Sequence, residues 1–192
     1  MSQAAIPATD VGTDAAPKLK RVLGVPSLVL FGLVYMRWFR EQGFDVREPE
    51  EVNEGEGDFL LVGDVILAGT GFRSDSQSHG ELERIFGREV VTLRLVDPSF
   101  YHLDTAVAVL DATTIAWLPE AFRPASRALL QERFPDAVVA DATDAAVLGL
   151  NAVSDGRHVV LPIRATRLAA AVAERGFAPV PVDLSELLKG GG

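Results

Sequence analysis

The sequence predicts an α/β fold built from repeats of one strand–strand–helix–strand unit, and three observations carry that prediction. The order of apolar strands and amphipathic stretches recurs three times between Asp58 and Val182. Each recurrence opens on a polar anchor, Asp58, Asp104 and Asn151, and the anchors stand 46 and 47 residues apart. Near-constant spacing of this size marks supersecondary units arranged about a shared axis rather than one continuous sheet. Each helical stretch also carries apolar residues at helical spacing on one face.

Taken in order, Met1–Pro17 is rich in Ala, Thr, Asp and Gly, without an apolar period, and reads as a disordered lead. Lys18, Lys20 and Arg21 precede an apolar run, Val22–Tyr35, broken by Gly24, Pro26 and Gly32. The run is shorter than the roughly 20 apolar residues a bilayer needs. No small-residue cleavage site follows it, so it reads as a buried strand or helix and not as a membrane or export segment. Met36–Gln42 reads as the end of a helix stopped by Gly43, and Phe44–Val46 as a short strand.

In the first unit, Asp58–Asp64 and Val65–Gly69 are strands, Ser74–Phe86 a helix and Glu89–Val96 a strand. Leu82, Ile85 and Phe86 share the helix's apolar face, and Glu81, Glu83 and Arg84 are expected to face water. In the second, Asp104–Asp111 and Thr113–Leu118 are strands. Pro124–Phe134 is a helix with proline in its first turn and Leu129, Leu130 and Phe134 on one face; Ala137–Ala140 is a strand. In the third, Ala152–Ser154 and His158–Leu161 form a hairpin through Asp155-Gly156. Thr166–Glu174 is a helix with Thr166 as N-cap, Leu168 and Val172 inward and Gly176 as its stop, and Pro179–Val182 is a strand. Each helix covers the outside of its unit, so the three anchors converge on the axis.

The composition narrows the function. The 192 residues are enough for one domain with a sizeable core, and 48% apolar with 23% charged is the balance of a globular protein. The net charge of -9 disfavours nucleic acid, whose phosphates need clustered Lys and Arg. There is no cysteine, which excludes disulfides, thiolate catalysis and cysteine metal sites, and is compatible with the cytoplasmic location expected here. His, Asp and Glu are not clustered as ligands, so no metal or organic cofactor is implied.

The residue types that remain suit a small cation bearing a carboxylate. Glu54-Gly-Glu-Gly-Asp58 is an acidic turn loosened by glycine, leading into two apolar strands and Gly71-Phe-Arg-Ser74. Tyr101-His-Leu-Asp-Thr105 sets His102 and Asp104 two residues apart, on one side of an extended chain. Carboxylates bind a planar guanidinium through paired hydrogen bonds. Arg73 lies near a helix start, where a cation opposes the dipole, and this favours an anionic partner for it. His79 and His158 are expected at the surface or in a hairpin.

These motifs, with Leu150-Asn-Ala152 and Val182-Asp-Leu-Ser-Glu-Leu-Leu-Lys-Gly-Gly-Gly192, resemble the guanidino-group-modifying superfamily, the penteins. The similarity is to the dimethylarginine dimethylaminohydrolase and arginine dihydrolase-like branch. It runs from Met36 to Gly192, leaving residues 1–35 as an unmatched lead and 36–192 as a partial pentein domain. The resemblance implies a propeller of five ββαβ units around a polar channel, of which about three and a half are present here. It implies arginine or dimethylarginine as ligand and a cysteine nucleophile that forms a covalent intermediate. His102 matches the general acid/base. Glu54 matches its acidic partner, although Glu56 stays open because the turn is one residue longer than the family's shorter form. Asp58 and Asp104 match carboxylates that clamp the guanidinium, and Arg73 matches the arginine that holds the substrate carboxylate. Asn151 is the third anchor, either at the substrate or in a strand-entry hydrogen bond.

The chain departs from the family at the nucleophile, which the resemblance places a few residues beyond Gly190–Gly192. The expectation is therefore a truncated amidinohydrolase that is inactive for lack of cysteine. Two alternatives stand beside it, a non-catalytic guanidine-binding module and a structural module acting through its surface. An open propeller exposes strand edges, so self-association is expected unless Val22–Tyr35 covers the gap.

Overall fold

A computed structural model describes residues 35–188. The lead Met1–Pro17, most of the apolar run from Val22, and Lys189 with the terminal glycines lie outside the described residues. The chain divides into two compact units, residues 1–48 and 49–192. In the described part of the first, residues 35–41 form a helix, α1. It stops at Gly43, whose φ of +87° suits glycine, and the Phe44 N–H turns back to the Phe39 carbonyl. The Phe39 ring meets Trp38 and Phe44 edge to face. Phe44–Val46 is not the expected strand. Its apolar, β-prone residues have no ladder partner among the described residues, and a strand forms only where a neighbour takes its N–H and C=O groups.

The second unit holds three separate three-stranded sheets of identical topology. In the first, β1 (Phe59–Val62) pairs antiparallel with β2 (Val65–Thr70), which pairs parallel with β3 (Glu89–Arg94) after the crossover helix α2 (Gln77–Phe86). The second repeats this with β4 (Val107–Val109), β5 (Ile115–Trp117), α3 (Pro124–Arg133) and β6 (Val138–Val139). The third does so with β7 (Val153–Ser154), β8 (His158–Pro162), α5 (Thr166–Glu174) and β9 (Ala178–Val182). The short helix α4 (Ala142–Ala145) joins the second repeat to the third, and α6 (Ser185–Leu188) follows β9. Three ββαβ units are thus present as the spacing predicts. An isolated bridge from Leu95 to Phe122 links the first two.

Apolar packing sets this order. The middle strand β2 is buried from Ile66 to Gly69, as a strand covered on both faces must be. In β3, Val91 and Leu93 point in while Thr92 and Arg94 point out, the alternation of a half-buried strand. Trp117, Phe122, Leu103, Leu118 and Leu130 fill the centre of one core that runs through all three sheets to Leu161 and Val172. Pro124 sits in the first turn of α3, where its missing N–H leaves no bond unmade. The Asp155-Gly156 hairpin forms with Gly156 at φ +87°, and the Asp155 carboxylate accepts the N–H groups of Arg157 and His158.

Several expectations give way to tertiary bonds. The first helix starts at Gln77 rather than Ser74, because the Thr70 hydroxyl holds the Ser74 carbonyl in the preceding loop. On its face, Glu81 is buried and accepts the N–H groups of Glu50 and Glu51, while Phe86 is 60% exposed. His79 is also buried, 4% exposed, between the Thr92 hydroxyl at 2.7 Å and the Gly69 carbonyl at 3.3 Å. His158 is exposed in its hairpin, as expected. Thr166 is not an N-cap. The buried carboxylate of Asp144 in α4 takes the Leu168 N–H instead, capping α5 from outside.

Candidate functional site

Each unit opens on a single tight turn, and these turns carry the polar residues. Gly55–Gly57 and Leu103–Thr105 are 3-10 turns, closed by the Asp58 N–H on the Gly55 carbonyl and the Ala106 N–H on the Leu103 carbonyl. At the third, the Asn151 N–H returns to Leu148. His102 is extended, but Asp104 lies inside the turn, so the two side chains are not on one side of an extended chain as the two-residue spacing predicts. The first strands then run side by side, β1 against β4 and β4 against β7.

The first two turns meet at Asp58. Its carboxylate is 1% exposed. Oδ2 accepts the Ser74 hydroxyl at 2.6 Å, and Oδ1 accepts the Leu103 N–H at 3.1 Å and faces His102 Nδ1 at 3.4 Å. Both oxygens are therefore bonded within the protein, which seats Asp58 behind His102 rather than open to a ligand. Gly57 packs on the imidazole: a Cβ built there would stand 3.1 Å from Nδ1.

On its outer side His102 faces Glu54, with Nε2 and Oε2 3.9 Å apart. Glu54, not Glu56, is thus the turn acid at ion-pair distance from the histidine. The other Glu54 oxygen lies 3.5 Å from an Arg73 guanidinium nitrogen. Arg73 also lies over the Tyr101 ring at 5.1 Å, and Tyr101 packs against His102 with centroids 4.8 Å apart. Glu54, Asp58, Arg73 and His102 form one cluster, with Tyr101 and Ser74 as members the sequence reading did not single out. Both were within reach of it, since Tyr101 precedes His102 and Ser74 follows Arg73 in the quoted motifs.

Asp104 and Asn151 form the neighbouring pair, with the Asn151 amide donating to the Asp104 carboxylate at 3.0 Å. Burial raises the Asp104 carboxyl above its ordinary range. The charge of nearby His102 and the Asn151 amide pull it back, and Asp58 pushes it up again. Asp104, Asn151 and Glu56 line a cavity of about 520 Å³ walled by β1, β4 and β7, including Leu60, Val107 and Ser154. The arrangement offers carboxylates to a cation at the cavity, a histidine braced by two acids, and an exposed arginine beyond them. Among the described residues no group of three or more His, Cys, Asp or Glu is placed to hold a metal ion, and no helix is long and apolar enough to cross a membrane.

No family model matches the chain. It is 54% identical over 158 residues to N(G),N(G)-dimethylarginine dimethylaminohydrolase of Mycobacterium tuberculosis, covering 82% of this chain and 52% of that protein. It is 35% identical over 164 residues to the bifunctional arginine dihydrolase/ornithine cyclodeaminase ArgZ of Synechocystis, covering 82% of this chain and 23% of that one. The crystal structure of the ArgZ N-terminal domain, an arginine dihydrolase bound to substrate, superposes with a TM-score of 0.77 at 34% identity, over 81% of this chain and 60% of that one. The chain therefore spans about half the length, or less, of the curated relatives it matches. Over the residues it shares with them, the chain is a homologue of the dimethylarginine dimethylaminohydrolases and arginine dihydrolases of the guanidino-group-modifying, or pentein, superfamily.

Proposed function

We propose that this chain binds the guanidinium of arginine or a methylated arginine at the cavity between its first strands, and that it does so without turning the ligand over. The observation that carries the reading is the placement of His102 between Glu54 and Asp58, with Arg73 on Glu54 and the Asp104 carboxylate on the adjoining cavity. We assign guanidinium recognition to Asp104, with Glu56 on the same wall, and the ligand carboxylate to Arg73. Asn151 steadies Asp104. Asp58 is given the support of His102, in place of the clamp expected from the sequence, because its oxygens are already bonded. Glu54 is the acidic partner of His102.

The chemistry that this chain lacks is nucleophilic. The guanidinium carbon is a weak electrophile, and attack on it needs an activated nucleophile as well as an acid for the leaving amine. His102 could supply the proton, but the sequence contains no cysteine thiolate. The domain reading goes with this: residues 1–35 as a lead, residues 36–192 as part of a pentein-type propeller, in a cytoplasmic setting. Calorimetric titration with L-arginine, asymmetric dimethylarginine and agmatine tests it. Heat with the first two and weaker heat with agmatine, which lacks the carboxylate, is expected; no heat with any of them at millimolar ligand overturns the reading. Citrulline or ornithine formed faster than by a His102→Ala variant would overturn the non-catalytic part alone.

A second reading concerns association. Val153, Val160 and Val180 are register neighbours across the third sheet and form an exposed apolar row. This favours self-association through that face. Sedimentation as a monomer at all concentrations would overturn it.

A further inference from the structure

We propose that Ser74 is a positioning residue for this site, and that its hydroxyl sets the tautomer of His102 through Asp58. The inference rests on the site reading above but is tested separately from it. Ser74 is 3% exposed, in the loop between β2 and α2, directly after Arg73. Its Oγ accepts the Glu54 N–H at 3.0 Å and donates to Asp58 Oδ2 at 2.6 Å. Its carbonyl is held by the Thr70 hydroxyl at 2.8 Å, which fixes the hydroxyl's position from β2. One oxygen atom thus ties three site segments together: the loop of Arg73, the turn bearing Glu54 and the buried Asp58.

The consequence reaches the histidine through hydrogen-bond bookkeeping. An ionised carboxylate only accepts, so a short contact from Oδ2 to Ser74 must use the serine proton. With Oδ2 occupied, the torsional freedom of the Asp58 carboxyl is gone, and Oδ1 is aimed at the Leu103 N–H and at His102 Nδ1. Of the two carboxylates that flank the ring, Asp58 is the nearer, 3.4 Å from Nδ1 against 3.9 Å from Nε2 to Glu54, so the ring proton is assigned to Nδ1 and Nε2 faces Glu54 as the nitrogen that takes or gives a proton. Without the serine hydroxyl, Asp58 can rotate, Glu54 loses the acceptor for its backbone N–H, and the ring loses the partner that selects its tautomer.

The measurement is the 15N chemical shifts of the His102 ring, recorded on the full chain at a pH where the ring is neutral. Wild type is expected to show a protonated Nδ1 and a bare Nε2; the reverse pattern overturns the proposal with no variant needed. Ser74→Ala is expected to shift His102 toward a mixture of tautomers and to weaken L-arginine binding about tenfold, the effect of losing one charge-assisted hydrogen bond. Ser74→Thr, which keeps the hydroxyl, is expected to restore the wild-type ring pattern. A Ser74→Ala variant that melts earlier but keeps the wild-type 15N pattern shows a merely structural role and overturns the proposal. Failure of wild type to bind L-arginine bears on the guanidine reading alone, because the ring shifts are read without ligand.

Discussion

Asn151 gives its side-chain amide to the Asp104 carboxylate at 3.0 Å, one repeat on from the place where Leu103 gives its backbone N–H to Asp58 at 3.1 Å. The entry turns of the first two units are thus each bonded by the entry turn of the next. The 46- and 47-residue spacing puts a carboxylate at the first two turns and an amide at the third.

This linkage fixes a pH dependence. Burial holds the Asp104 carboxyl above its ordinary 3.8, so the folded chain keeps that proton to higher pH than the unfolded chain does. Asp104 therefore favours folding below 3.8, and the contribution is lost as the pH rises through the folded value. Asp104→Asn should gain stability relative to wild type as the pH rises above 3.8, read from urea midpoints. Asn151→Ala should cost about 1–3 kcal/mol near neutrality, since it strips a donor from a half-buried carboxylate.

His79 gives a slope of the opposite sign. Desolvation in its buried slot lowers its pKa below 6.5, against the Gly69 carbonyl and the Asp58 charge, which both favour the cation. The unfolded chain then binds the proton first as the pH falls below 6.5, so this residue's stabilisation is present above that value and declines below it. His79→Gln should flatten the fall in thermal midpoint on acidification; an unchanged profile would show that the His79 proton does not matter.

Gly57→Ala tests the packing behind the histidine. The new Cβ would stand 3.1 Å from Nδ1, so the ring must move away. We expect a stability loss of about 1 kcal/mol, typical of mild overpacking, together with weaker L-arginine binding by calorimetry. A variant that binds as wild type would show that the ring has room to move.

Arg73→Ala should separate two ligands of equal guanidinium chemistry. Loss of a charge-assisted bond of about 1.5–3 kcal/mol lowers L-arginine affinity by tenfold or more, while agmatine, with no carboxylate, should be nearly unaffected. Equal losses for both ligands would remove Arg73 from the carboxylate end.

The repeat was legible in the sequence because alternation and helical spacing are local properties, and they survive in β3, α3 and α5. The entry turns were not, because a three-residue turn is fixed by distant groups: Asp104 and Thr105 read as the start of a strand, but both lie in a turn whose first residue, Leu103, gives its N–H to the Asp58 carboxylate. Glu81 and His79 looked solvent-facing by type. Their burial depends on the N–H groups of Glu50 and Glu51 and on Thr92, none of which helix periodicity can reveal. The cluster of Glu54, Arg73 and His102 was legible as a set of residue types, but the inward-facing role of Asp58 needed the Ser74 hydroxyl to be seen.

The three sheets share no continuous ladder; among the described residues the first two are joined by the isolated bridge from Leu95 to Phe122, flanked by the Val96 N–H on the Ala121 carbonyl and the Arg123 N–H on the Arg94 carbonyl. Tilting the first unit against the second therefore strains those backbone bonds as well as side-chain contacts, while the strand pairings inside each sheet stay whole. The cleft walled by β1, β4 and β7 is thus lined by strands from three sheets that no common ladder ties together.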